Sequence, residues 1–223
     1  MYENLARRGT AAALVASPLV WLVSALVNPG EQAKTADQFD VILAHPGRWS
    51  AAAVLLVIGT VLLVPGLVAA ARVAGERSGR LTFAAVALLG FGTINSIGDC
   101  FNQLVGGVLA KNSDRHAMLS LADKLSADPA TGILYAVGGL AFTVGGVLLG
   151  IALARSRRVP VWAGVLVSLS TFVNIVGWSS ANDLVIAASC VPMLVAFAVV
   201  ARESLGVTAV DDGISGRTAA QVG

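Results

Sequence analysis

Residues Ser50 to Ala71 read SAAAVLLVIGTVLLVPGLVAAA, an unbroken run without Asp, Glu, Lys or Arg. As one α-helix the run is about 33 Å long, enough to cross the roughly 30 Å hydrocarbon core of a bilayer. A helix apolar on every face is either a membrane span or the centre of a large globular core, and 223 residues do not supply such a core. The pattern recurs on both sides of this stretch. Apolar runs cover Thr10 to Val27, Leu81 to Ala110, Thr131 to Ala154, Val159 to Gly177 and Asn182 to Ala201, and the charges gather between them. The expected fold is all-α, a polytopic integral membrane bundle of six transmembrane helices spanning about 10–27, 50–71, 81–110, 131–154, 159–177 and 182–201, in a single domain over 1–201. Residues 202–223, with Asp211, Asp212, Gly213 and Gly216, lack an apolar period and are expected to form a disordered cytoplasmic tail.

Composition agrees. The chain is 56% hydrophobic and 13% charged, with a mean hydropathy of +0.79, against about half and about a quarter for a soluble domain. A dispersed net charge of +2 excludes a nucleic-acid partner. Cys100 and Cys190 lie in separate apolar runs with no CxxC spacing, so they are expected as small core residues rather than as a redox pair or metal site. Arg7 and Arg8 before an apolar run imitate a secretory leader, but no A-x-A site closes the run before Asn28-Pro29-Gly30, and a retained first helix is expected.

Ten of the fifteen Lys and Arg residues fall in the N-terminus, the second and fourth connections and the tail, which predicts a multi-pass protein of the cell (plasma) membrane with both termini cytoplasmic. The cytoplasmic connections are short and the first two outer ones long. In the second long one, Ser113 is placed to cap a short helix carrying Met118, Leu121, Ala122 and Leu125, ending before Pro129. The first, around Phe39, Val41, Ile42 and Leu43, reads as a similar interfacial segment. Both are expected over the outer mouth of the bundle. Asn95-Ser96-Ile97-Gly98 is weakly echoed by Asn174-Ile175-Val176-Gly177, which predicts two asparagines at matching depths. The Gly146 and Gly150 pair predicts close helix packing, Pro65 and Pro192 predict kinks, and Trp21, Trp49 and Trp162 near span ends predict interfacial anchors.

An ionisable side chain inside a span costs about 2.5–3.5 kcal/mol and therefore asks for a protein partner or a cavity. Two acids qualify, Asp99 in the third span and Asp183 in the first turn of the sixth. Asn95, Asp99, Asn102 and Gln103 fall on one helical face. Interhelical hydrogen bonding, worth about 0.6 kcal/mol per contact, accounts for such amides but does not need a carboxyl. Asp183 either caps its helix or lines an outward-leaning cavity with Asn174, Trp178 and Asn182. No histidine or lysine lies mid-span and no phosphate-binding glycine motif is present, which excludes an intramembrane Ser-His protease, a His-ligated haem, a zinc hydrolase, a retinal Schiff base and ATP-driven transport. A carboxyl kept from water favours the protonated state that a general acid needs, and Asn95, Asn102 and Gln103 are placed to steady the charge left when the proton departs.

In size, helix count and the placing of one acid in a middle helix and another in the last, Asp99 and Asp183, the chain resembles the small membrane-integral terpene cyclases, including bacterial ones that cyclise prenylated indoles. It departs from the better-known fungal members in six spans rather than seven. The resemblance implies a metal-independent, cofactor-free cyclase that protonates an alkene or epoxide of a lipophilic isoprenoid or prenylated aromatic substrate, with Asp99 or Asp183 as donor. Phe91, Phe101, Phe142, Phe172 and Trp178 are the rings expected to steady cationic intermediates. The alternatives are a proton-coupled small-molecule carrier and a non-enzymatic lipid-binding or assembly protein of the bilayer.

Overall fold

The computed structural model describes residues 2–32 and 34–219, and the side chains of all of these except Glu76, Asp99 and residues 207–219. The described chain is helical, without strands: α1 (Tyr2–Val27), α2 (Thr35–Ala44), α3 (Pro46–Ala110), α4 (Arg115–Ala127), α5 (Pro129–Ser156), α6 (Val161–Ser179) and α7 (Asp183–Ala219). Helix α3 is two arms, Pro46–Gly75 and Arg77–Ala110, joined where Ser78 leaves helical geometry at φ −137° and ψ 36°. Within α3 the interruption falls at Ser78, among the charged and glycine residues of the connection, and not at Pro65.

Six helices are long and apolar enough to cross a membrane: α1, the two arms of α3, α5, α6 and the Asp183–Gly206 part of α7. They form a closed ring, since α1 packs on α3 and α7, α5 on α3 and α6, and α6 on α7. The arms of α3 close the ring between them, with the Trp49 indole donating to the Gln103 carbonyl at 2.8 Å. Helical backbone continues past the last span to Ala219.

The two ends of the ring differ. At the end holding the Ser78 turn, here the turn end, Leu14, Ala70, Val73, Leu149, Leu153, Val167 and Val200 are wholly buried in one core. At the other, the lid end, α2 and α4 lie across the bundle, and Phe39 and Ile42 pack with Trp49 and Ala110. The expected short helices are both present. The cap of α4 is Asp114, whose carboxylate accepts from the Ala117 N–H at 3.0 Å, and not Ser113, which sits one residue too early.

Glycines set the closest approaches. A Cβ at Gly150 would lie 2.3 Å from the Gly164 carbonyl oxygen, and one at Gly146 would lie 2.2 Å from Thr171 Cγ2, so this pair seats α6 against α5 as the spacing predicts. The aromatic anchors divide. Trp162 is exposed, but Trp21 and Trp49 are buried, because Thr60 and the Gln103 carbonyl offer their indole N–H groups partners inside the ring.

Candidate functional site

Between the lid and the packed turn end lies a cavity of about 1030 Å³, at the upper end of the roughly 300–1,000 Å³ of small-molecule sites. Every span contributes wall. Trp21 and Ser24 come from α1, Leu56 and Thr60 from the first arm of α3, and Asn95, Ser96, Asn102 and Gln103 from the second. Tyr135, Gly139 and Phe142 come from α5, Asn174 and Trp178 from α6, and Asp183, Ile186 and Cys190 from α7. Phe39 and Ile42 of α2 and Ala122 and Ser126 of α4 close it above.

The amide stripe faces this space. Asn95 fits because Gly138 has no side chain: a Cβ there would lie 1.9 Å from Asn95 Nδ2. Asn102 donates to the Tyr135 hydroxyl, and Gln103 Nε2 donates to Glu31 Oε1 at 3.4 Å. Asn174, its echo on α6, donates to Ser189 Oγ at 3.1 Å and lines the same cavity as Asn95. The echo ends there, since Gly177 is pressed against Ile186 while Gly98 faces open space.

Asp183 is a wall residue rather than a cap. Its carboxylate accepts from Asn28 Nδ2 at 3.1 Å and from the Glu31 backbone N–H, while Asn182 caps α7 by accepting from the Leu184 and Val185 N–H groups. The Asp99 side chain lies outside the described residues; its helical neighbours Asn95, Ser96, Asn102 and Gln103 all line the cavity. Of the other expected site residues, Asn174 and Trp178 join the wall, whereas Asn182 spends its side chain on the helix end. Phe91, Phe101 and Phe172 are 49%, 63% and 59% exposed on the outside of the ring, so they do not supply the expected rings. The rings in the cavity wall are the expected Phe142 and Trp178 together with Trp21, Trp49 and Tyr135, with Trp21 and Phe142 meeting edge to face at 6.0 Å between centroids.

Sequence reasoning missed Asn28, Glu31 and Tyr135. The available signal was Asn28-Pro29-Gly30: with Gly30 at φ +117°, the chain turns there and brings Glu31 back over α7. Among the described residues no group of three His, Cys, Asp or Glu side chains comes together as a metal site. What the arrangement offers chemically is a large, mostly apolar chamber with carboxyl, amide and phenol groups concentrated near its lid. Comparison of the chain with protein-family models, with curated proteins and with solved structures returned no match.

Proposed function

We propose that the chain is a terpene cyclase of the plasma membrane, with both termini cytoplasmic and the lid on the outer side, which folds a lipophilic prenylated substrate inside the chamber and starts its cyclisation by proton transfer from a carboxyl. The carrying observation is the cavity of about 1030 Å³ with Asp183 and the Asn95, Asn102 and Gln103 amides in its wall. Amide glue between touching helices needs no such room. The orientation rests on the bias of Lys and Arg toward the turn end.

The chemistry follows from the lining. A carboxyl O–H gives its proton to the terminal alkene carbon, or to an epoxide oxygen, and the electron-poor carbon left behind is attacked by an internal alkene. Ring formation moves the positive charge along the chain until a proton is lost from carbon, and a carboxylate takes it up. Asp99 and Asp183 are the donor and acceptor candidates, and the amides and Tyr135 hydroxyl are placed to steady the carboxylate. The indoles of Trp21, Trp49 and Trp178 offer π faces to cationic carbon. The walls keep water from quenching it. The packed turn end supports a chamber over a carrier's through-route.

The test uses membranes containing the full chain, supplied with polyprenyl alkenes, their terminal epoxides and prenylated indoles, with products separated by mass spectrometry. Cyclised product is expected from the native chain. Asp99→Asn or Asp183→Asn, whichever removes the donor, lowers turnover by about 10²–10⁴-fold, the usual worth of a general acid. Full turnover in both single variants and in the double variant overturns the reading.

A further inference from the structure

We propose that the guest of this cavity is a bilayer-dissolved lipid with a hydrocarbon tail, admitted sideways through the seam between α5 and α6; this rests on the reading that the chamber holds a lipophile.

Three glycines of α5, Gly150, Gly146 and Gly139, are spaced by four and seven and so share a helical face. They measure the gap to α6 along its length. A Cβ on Gly150 would lie 2.1 Å from Ser168 Oγ and one on Gly146 would lie 2.2 Å from Thr171 Cγ2. At Gly139 a Cβ would meet only a side chain, Ile175 Cδ1, at 3.5 Å, an ordinary contact distance. The helices touch backbone to backbone at the turn end, and toward the lid the space between them is filled by a side chain, that of Ile175.

Toward the lid, the seam is the cavity's own wall. Gly139 and Leu140 face in from α5, and Ile175 and Trp178 from α6. Leu140 and Trp178 are also 59% and 37% exposed.

Hydrogen bonds tie the other neighbours of the ring at cavity level. Trp21 bonds Thr60, Trp49 bonds the Gln103 carbonyl, Asn102 bonds Tyr135, Asn174 bonds Ser189 and Asn28 bonds Asp183. Ser168 Oγ of α6 donates to the Val147 carbonyl of α5 at the turn end. Across the lid, Thr35 bonds Asp123 and Arg115 pairs with Asp40, joining α2 to α4. Leu140 and Ile175 give a hydrocarbon tail an apolar sill, while Asp183 and Gln103 await a polar end near the lid.

The experiment places the full chain in phosphatidylcholine vesicles with a diazirine-bearing farnesol as probe, and reads photolabelling of the α7 segment that holds Ile186 and Cys190. Gly139→Cys is modified with a bulky methanethiosulfonate and later released with dithiothreitol. The native Cys100 and Cys190 are 0% and 1% exposed, and reagent-treated wild type controls for them. The adduct is expected to cut cavity labelling at least ~10-fold and its removal to restore it, whereas the same adduct on Gly90→Cys, a position with open space, changes nothing. Ala136→Cys, nearer the lid, serves where Gly139→Cys does not fold. Labelling indifferent to adducts at 139 and 136 overturns the seam route and leaves the lipophile reading standing. An unlabelled cavity in the unmodified protein overturns both.

Discussion

Gly92 and Gly138 mark where the second arm of α3 meets α5, and they differ in what a methyl group would strike. At Gly92 a Cβ would lie 2.6 Å from the Phe142 backbone nitrogen and 2.8 Å from the Gly138 carbonyl oxygen, so a whole helix must move. Alanine gains about 1 kcal/mol over glycine in helix propensity, but overpacking a close contact costs about 1–3 kcal/mol, so Gly92→Ala is expected to be destabilising. Gly90→Ala, facing open space, keeps the gain. Thermal unfolding in detergent should therefore show the two neighbours shifting the midpoint in opposite directions. At Gly138 the obstacle is the Asn95 side chain: a rotamer change can move its amide, but Asn95 Cβ at 2.8 Å is fixed by the backbone and the helices must also give. Gly138→Ala is therefore expected to lower the midpoint as Gly92→Ala does, and in addition to swing the Asn95 amide off its seat and lower turnover in the product assay. The amide stripe was legible because four polar residues share one face of an otherwise apolar helix. Its seat was not, since nothing local in sequence ties Asn95 to Gly138.

The lid is the element whose stability depends on pH. Arg115 Nη1 lies 2.7 Å from Asp40 Oδ1 and its Nη2 donates to the Ala36 carbonyl at 3.3 Å, so one side chain of α4 holds two points of α2. The Arg115 hydrogen bond holds the Asp40 carboxyl below its ordinary value of 3.8, outweighing desolvation, which acts the other way. A depressed folded pKa means that the pair stabilises the lid above the unfolded value and is lost as pH falls through the folded one. The latch therefore holds at neutral and mildly acid pH and lets go below about pH 3.8. Both side chains are exposed, so Asp40→Asn should leave the thermal midpoint nearly unchanged. It should speed amide exchange in α2 and α4 several-fold, an effect that high salt reproduces in the native chain by screening. Unaltered exchange removes the latch from the lid's mechanics. Both lid helices could be read from the period of their apolar residues. The cap and the ion pair could not, because Ser113 and Asp114 are equally good caps by type, and Asp40 and Arg115 meet only once the arms of α3 fold together. Trp21 and Trp49 teach the same point: position along a span gives depth in the bilayer, while facing is decided by Thr60 and the Gln103 carbonyl on other helices.

On the scale of the whole molecule, the asymmetry between the ends favours the proposed reaction chamber over a carrier. The cavity extends no further than Thr60, Thr143 and Cys190, and beyond them Leu63, Leu149, Ala196 and Val200 close the ring with at most 1% exposure. Runs of Ala, Val, Leu and Gly in the inner halves of the spans made this end legible, since side chains that small and apolar leave helices free to pack without a polar track. The cavity was less legible, because its size depends on where α5 and α6 cease to touch backbone to backbone, which their glycine pattern alone does not fix. Opening the turn end, as alternating access requires, would break these apolar contacts. Leu149→Ala tests whether this plug is structural. Deleting a fully buried leucine costs about 2–5 kcal/mol, so the variant should unfold at a distinctly lower temperature. Proteoliposomes carrying either the native chain or Leu149→Ala should pass neither protons nor a small fluorescent amine, with or without a pH gradient. Flux through the native chain, especially flux that grows when the plug is thinned, would replace the chamber with a transport pathway.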